Sequence, residues 1–433
     1  MSTRLQHHTR LFLKQGHIVG RRDFLRQITA ASLAAGSVNL TDIVSASAEQ
    51  MRARGMACIL LWMQGGPSQF ETFSPKPNHK NGGETKAIST SVSGIHIAEN
   101  FPHCAKRMDD LAIIRSMTSK EGNHQRATYL LHHGYLPIRG VKYPTLGSNV
   151  AHQIGSAPSE LPNYVRIGNQ IANSGGGGFL GSEYNPLILP VATSPPQNTA
   201  PRIGALRSKR RLRRLESPQG GFGSAAGAQG VADLRELAER ASDNILSPSM
   251  GAFALSEEPN NLRNDYGTGD FAAGCMMARR LVEHGVPFVE VTSRGWDTHQ
   301  DVFSRTQKLS QQIDQPLAAL VSDLKQRGML DKTLVVWMGE FGRTPCINSR
   351  AGRDHYPQAF NAVVAGGGIQ GGQVVGETTV DGTEVADRPV SVQDLFRTIY
   401  KSLGIDTEHQ NSSRVGPPIK LVHGGEVVGE LFA

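Results

Sequence analysis

The stretch from Leu334 to His355, LVVWMGEFGRTPCINSRAGRDH, decides how this chain folds. Five apolar residues, Leu334 to Met338, suffice for a buried strand and are too few for a helix. At Gly339 the chemistry changes. Glu340, Arg343, Asp354 and His355 follow among glycines, Thr344 and Pro345. In open α/β sheets, ligands bind where the carboxyl ends of strands meet their loops. A buried strand that discharges a carboxylate, a guanidinium and an Asp-His pair fits such a site. The alternative is a surface loop in which Glu340 and Arg343 pair with each other.

The neighbouring sequence repeats the pattern. Phe271 to His284 reads as a helix stopped by Gly285, and Pro287 to Val291 as a strand. That strand empties into Gly295-Trp296-Asp297-Thr298-His299-Gln300-Asp301. Phe303 to Arg327 then reads as an amphipathic helix, with Leu309, Ile313, Leu317, Leu320, Val321 and Leu324 on one side. Further upstream, Ala57 to Met63 forms a buried strand that ends in Gly65-Gly66-Pro67-Ser68. There Ser68 or Thr72 sets a hydroxyl beside glycines that let backbone approach a ligand. Leu111 to Ser116 is another strand, leading to His124 ahead of an apolar helix start at Tyr129. His124 is well placed for a ligand or substrate contact, although such histidines are also common caps. Ala362 to Ala365 reads as a strand, and Asp394 to Leu403 as a closing helix capped by Ser391. Such alternation calls for a doubly wound, mostly parallel α/β sheet with helices on both faces.

Composition narrows the class. With 433 residues, 38% hydrophobic and 19% charged, the chain can bury a large core. No run reaches the length of a membrane span, so no integral span is expected in the mature chain. The net charge of +7 is largely a property of the first 48 residues, where six Arg/Lys against two Asp give +4 and leave +3. That argues against a nucleic-acid partner. The basic run at 207–214 lacks interleaved aromatics and reads as a solvated helix face. Residues 220–230 read as a flexible loop, and 231–245 have helical spacing. Cys58, Cys104, Cys275 and Cys346 are too dispersed for a zinc knuckle, and one or two disulfides are compatible with them.

Gly20-Arg21-Arg22-Asp23-Phe24-Leu25-Arg26 precedes a short apolar segment and Ala46-Ser47-Ala48. This resembles a twin-arginine signal peptide over residues 1–48, cleaved to leave a single domain over 49–433 in the periplasm or outside the cell.

Carboxylates and imidazoles at successive strand ends suit zinc, manganese, calcium or magnesium. Such an ion polarises an ester oxygen, and Arg343 would clamp a phosphate or sulfate.

The chain also resembles the DUF1501 family of exported bacterial proteins, placed in the alkaline phosphatase-like (sulfatase-like) superfamily. The matching residues are GGPSQFETFSPKP at 65–77, GNHQRATYLLHHGY at 122–135 and AFALSEEPNNLRNDYG at 252–267. ARRLVEHGVPFVEV at 278–291, GWDTHQD at 295–301, GEFGRTP and GRDH within 339–355, and AGGGIQGGQVVGET at 365–378 complete the set. It departs from the family at Glu71 and Ser74, where Asp is usual. The resemblance implies an alkaline phosphatase-like fold and hydrolysis of phosphate or sulfate esters by one or two divalent metals. The substrate would be an anionic ester, with sulfated polysaccharide among the expected partners. By position, Asp297 with His299 or Asp301 looks like one ligand group. Glu340 and His355, with Asp354 beside it, look like the other. Ser68 or Thr72 would be the nucleophile, with His124 and Arg343 as further catalytic groups. Two positions depart from the superfamily pattern. Gln64-Gly65-Gly66 stands where a ligand Asp follows the first strand, and Phe341 stands where a metal-binding His is usual. The competing class is a non-catalytic binding or scaffold protein of the cell surface.

Overall fold

The computed structural model describes residues 55–156, 161–169, 171–194, 196, 248–412 and 417–432. The stretches expected to be a signal peptide, a solvated basic helix face, a flexible loop and a helix over 231–245 lie outside the described residues.

One nine-stranded sheet organises the described chain. Its strands are β1 (Ala57–Gln64), β2 (Ala112–Thr118), β3 (Tyr164–Ile167), β4 (Leu187–Leu189), β5 (Phe288–Arg294), β6 (Thr333–Met338), β7 (Phe360–Ala365), β8 (Gln373–Val375) and β9 (Val390–Ser391). The order is β8-β2-β7-β6-β1-β5-β3-β4, with β9 also paired to β2. Only β7 runs against its neighbours, β2 and β6; every other pairing is parallel. The expected doubly wound, mostly parallel architecture is therefore observed. β2 opposes β7, which opposes β6, so β2 runs parallel to the central strands and ends at the same sheet edge.

Alternation along β1 shows why both faces need cover. Cys58, Leu60 and Trp62 point into one core, and Ile59, Leu61 and Met63 into the other. A strand buried on both sides reads as a continuous apolar run, as ACILLWM does. Helices α3 (Asp270–Glu283) and α4 (Val302–Gln326) cover the second face. Helices α1 (His124–His133), α2 (Leu146–Ile154) and α5 (Val392–Ser402) cover the first. Ser391 caps α5 through a reciprocal box with Asp394. All four cysteines are free thiols, and only Cys346 is exposed. Among the described residues no helix is long and apolar enough to cross a membrane.

A charged group lies inside the first core. Glu290 on β5 stands opposite Arg166 on β3, and both are buried. Arg166 Nη2 is 2.9 Å from Glu290 Oε2, to which the Tyr164 hydroxyl also donates at 2.6 Å. His132 Nε2 meets Oε1 at 3.3 Å. Burial opposes ionisation of Glu290, but Arg166, His132 and Tyr164 outweigh it and hold the carboxyl at about 2, below the ordinary 4.5. Because the folded value is the lower one, this carboxylate stabilises the fold fully above the unfolded pKa, and the contribution is lost as pH falls toward 2. Urea melts at about pH 6 and about pH 3 should differ by a Glu290 share on the order of 2 kcal/mol. That share should vanish in Glu290→Gln. An acid loss of equal size in the variant would contradict the assignment.

Candidate metal centre

β6, β1 and β5 lie side by side in the sheet, and their carboxyl ends deliver Glu340 with Arg343, Gly65 with Gly66, and Asp297 with His299. The loop after β2 delivers His124, and the segment ahead of β7 delivers Asp354 and His355. The opening stretch pairs with itself, Gly342–Arg343 running antiparallel to His355–Tyr356. His355 is thereby folded back over the end of β6.

Asp297 is the hub. His299 Nε2 lies 3.0 Å and His355 Nε2 3.4 Å from its Oδ1, and His124 Nε2 lies 3.3 Å from its Oδ2. His299 Nε2 and His355 Nε2 are 3.0 Å apart. His124, Asp297 and His355 each offer a ligand atom within 4.8 Å of the others. His299 joins them through its contacts to Asp297 and His355. The cluster opens to solvent, with the Asp297 side chain 44% exposed.

Each imidazole is held from behind. His124 Nδ1 donates to Glu340 Oε1 at 2.7 Å, His299 Nδ1 to Asp354 Oδ1 at 2.6 Å, and His355 Nδ1 to the Gly122 carbonyl at 2.8 Å. Carboxylate and carbonyl oxygens only accept, so all three rings carry a proton on Nδ1. In the neutral ring Nε2 is then a lone-pair donor aimed at Asp297. Two such donors facing each other at 3.0 Å repel unless a proton or a cation lies with them. His124 Nε2 is buried without a hydrogen-bond partner, its approach to Asp297 being poorly aligned. An orphaned nitrogen, two facing lone pairs and a central carboxylate fit a cation with nitrogen and oxygen ligands.

Electrostatics agree. Burial opposes a charge on His124, but Asp297 and Glu340 outweigh it and lift the ring to about 9. Burial would raise Asp297, yet the adjacent His124, His355 and Arg343 outweigh it and hold the carboxyl far below the usual range. The His299 hydrogen bond lowers Asp354. Occupancy by a divalent ion is accordingly coupled to release of the His124 proton.

The buried Glu340 takes the Gly65 N–H on both oxygens, at 2.9 and 3.1 Å. That explains the glycine turn. A Cβ on Gly65, at φ 118°, would stand 2.4 Å from the Asp297 nitrogen. Glu340 and Arg343 do not pair with each other. Arg343 is fully buried and donates from Nε to the Gly66 carbonyl at 2.8 Å and from Nη1 to the Arg353 carbonyl at 3.2 Å. Its Nη2 serves the Gly65 carbonyl and Asp297 Oδ1, the latter at 2.6 Å. The Phe341 ring, buried, packs 4.9 Å from that of His124 and 4.7 Å from that of His355. The imidazole absent at 341 is supplied to Glu340 by His124.

The structure redistributes the expected roles. His124, expected among the catalytic groups, stands with Asp297, His299 and His355 around the proposed cation. Glu340 and Asp354, expected as ligands, instead fix imidazoles from behind. Arg343, expected to clamp a substrate anion, directs Nε, Nη1 and Nη2 to carbonyls and to Asp297. Asp301 caps the start of α4 at φ 50°, exposed, and its side chain makes no ion pair or hydrogen bond among the described residues. Ser68 and Thr72 are both buried; the Thr72 hydroxyl donates to the Ser68 carbonyl at 2.8 Å, and the Ser68 hydroxyl has no partner. Neither touches Asp297.

Sequence reasoning missed Asn348, Gly352 and the Glu71–Arg353 pair. Asn348 Nδ2 donates to the His299 carbonyl at 3.0 Å, and a Cβ on Gly352 would stand 2.1 Å from the His299 carbonyl carbon. The helix start was readable: Asn123 accepts from the N–H groups of Gln125 and Arg126, so α1 begins at His124 and not near Tyr129.

The family model described as "Protein of unknown function (DUF1501)" matches residues 56–432. No curated protein matches. Among solved structures, a sulfatase from Pseudoalteromonas sp. is 14% identical over 85% of this chain and 72% of that one, with a TM-score of 0.39. A protein of the alkaline phosphatase superfamily from Vibrio parahaemolyticus is 12% identical over 86% and 76%, with a TM-score of 0.38. A phosphonate monoester hydrolase from Silicibacter pomeroyi is 14% identical over 83% and 76%, with a TM-score of 0.32. Likenesses this distant say nothing of activity; the fold stands on the strand order and the site on its geometry.

Proposed function

The chain belongs to the DUF1501 family, and we propose that it is an exported hydrolase of sulfate or phosphate esters that works with a single zinc-class ion. The observation that carries this reading is the convergence of His124, His299 and His355 on Asp297, each ring fixed through Nδ1. Three imidazoles suit zinc, whereas manganese, calcium and magnesium prefer oxygen ligands. A bound ion of that class supplies Lewis-acid chemistry, polarising an ester oxygen and lowering the pKa of a water. Everything else is done by the chain. Glu340, Asp354 and the Gly122 carbonyl hold the ring protons on Nδ1, so that each Nε2 faces Asp297. Arg343 fixes the Asp297 carboxylate, and the Phe341 ring packs against those of His124 and His355. With Ser68 and Thr72 buried, the attacking oxygen in this reading comes from water. The ester class rests on the family resemblance, and export rests on the twin arginines and the small-residue site ahead of Glu49.

A second reading, a non-catalytic binding or scaffold protein of the cell surface, is favoured by the commitment of Arg343 to internal partners. The purified mature chain separates the two. The hydrolase reading expects about one zinc per chain, and turnover of an aryl sulfate or aryl phosphate that chelation removes and zinc restores. His355→Ala should lack both. Stoichiometric zinc without turnover of either ester supports the second reading, and a chain that retains no metal overturns the site itself.

A further inference from the structure

The buried network around Glu290 has so far been only a source of stability, yet its position ties together the two elements that carry most of the proposed site. α1 begins with His124, and its third turn holds the buried His132, eight residues on and about 12 Å along the axis. β5 carries Glu290 and runs four residues further to Arg294, about 13 Å, before the Gly295 turn delivers Asp297. The two arms therefore span similar lengths. They touch at one end through His132 Nε2 and Glu290 Oε1, 3.3 Å apart, and at the other through His124 Nε2 and Asp297 Oδ2, also 3.3 Å apart. The result is a closed frame.

The lower joint is rigid. His132 Nδ1 donates to the Thr128 carbonyl at 2.8 Å, and its ring packs 4.2 Å from Trp62 on β1. The other Glu290 oxygen is occupied by Arg166 and Tyr164, and Arg166 is braced by the Ser174 hydroxyl at 2.6 Å. Buried polar networks favour one arrangement of the elements they join, and here every polar group but Arg166 Nε has a partner.

We propose that Glu290, acting through His132, is a positioning residue that sets the distance between His124 and the Asp297–His299 loop. The inference rests on the metal-centre reading above. It assigns Glu290 no contact with substrate or ion. Its expected signature is a change in metal affinity of the folded protein, which lost stability alone would not produce.

The test is zinc titration by calorimetry on wild type, Glu290→Gln, His132→Asn and Asp323→Asn, with near-UV circular dichroism confirming that each is folded. His132→Asn removes the joint while leaving the Arg166–Glu290 pair intact, so it serves if Glu290→Gln fails to fold. Asp323, buried beside Arg279 and Tyr266 and paired with the exposed Arg327, is an ionic group away from the site. Glu290→Gln and His132→Asn should each bind zinc at least about tenfold more weakly, while Asp323→Asn binds as wild type does. Wild-type affinity in a folded His132→Asn overturns the positioning role and leaves the metal centre standing. An equal loss in Asp323→Asn overturns it too, because general loosening would then explain the result. Absence of zinc binding in wild type overturns both this inference and the reading beneath it.

Discussion

Asp297→Asn should lose retained zinc and all metal-dependent ester turnover while remaining folded. Asp297 is the one group that every candidate ligand touches, at 3.0, 3.3 and 3.4 Å from His299, His124 and His355. An amide keeps its shape but removes the negative charge that a divalent ion would meet. Loss of an orienting partner behind a ligand typically costs ten- to a hundredfold in affinity, and loss of the central ligand should exceed about a hundredfold. The fold should tolerate the change because this side chain is 44% exposed. Arg343, which donates to Asp297 Oδ1, can still donate to an amide oxygen. Elemental analysis after gel filtration, with calorimetric zinc titration, would read the effect. Stoichiometric zinc at wild-type affinity in Asp297→Asn would remove the hub from the site.

Much of this was legible in the sequence, and the limits have physical causes. Central strands buried on both faces give unbroken apolar runs in β1 and β6, and β5 shows Phe288, Val289 and Val291 around Glu290, so the three could be placed and their carboxyl ends named. Asp297, His299 and His355 followed from that placement. The roles of Glu340 and Asp354 did not, because a carboxylate that binds a metal and one that binds a ligand's Nδ1 leave the same residue type at the same strand end. Only the distances, 2.7 Å to His124 and 2.6 Å to His299, separate them. The internal partners of Arg343 were hidden for a related reason: a guanidinium beside glycines suits an anion as well as it suits the carbonyls those glycines expose. The short strands β3, β8 and β9 carry too few residues for a period to show. The departure at Phe341 looked like a lost ligand, and the missing ring arrives instead from α1, 216 residues earlier than Glu340.

Another departure, Glu71, carries the second large effect. Glu71→Gln should destabilise the chain by about 3–5 kcal/mol, the usual cost of stranding one partner of a buried pair. Glu71 and Arg353 are both fully buried, and Arg353 donates from Nε at 3.1 and 3.2 Å and from Nη2 at 2.8 Å. The guanidinium also stacks 4.4 Å over Phe70 and donates to the carbonyls of Thr344, Pro345 and Asn81. The pair thus joins the loop after β1 to the segment that carries Asp354 and His355. A neutral amide leaves the arginine charge uncompensated where water cannot reach it. Replacing both partners, Glu71→Leu with Arg353→Met, should recover part of the loss, since two desolvated charges disappear together. Recovery should stay incomplete, because three carbonyls lose their donor in a buried setting. Denaturant melts of the two variants would show it. Full recovery in the double variant would mean that the carbonyl contacts contribute little. Wild-type stability in Glu71→Gln would mean that the pair does not hold the His355 segment in place.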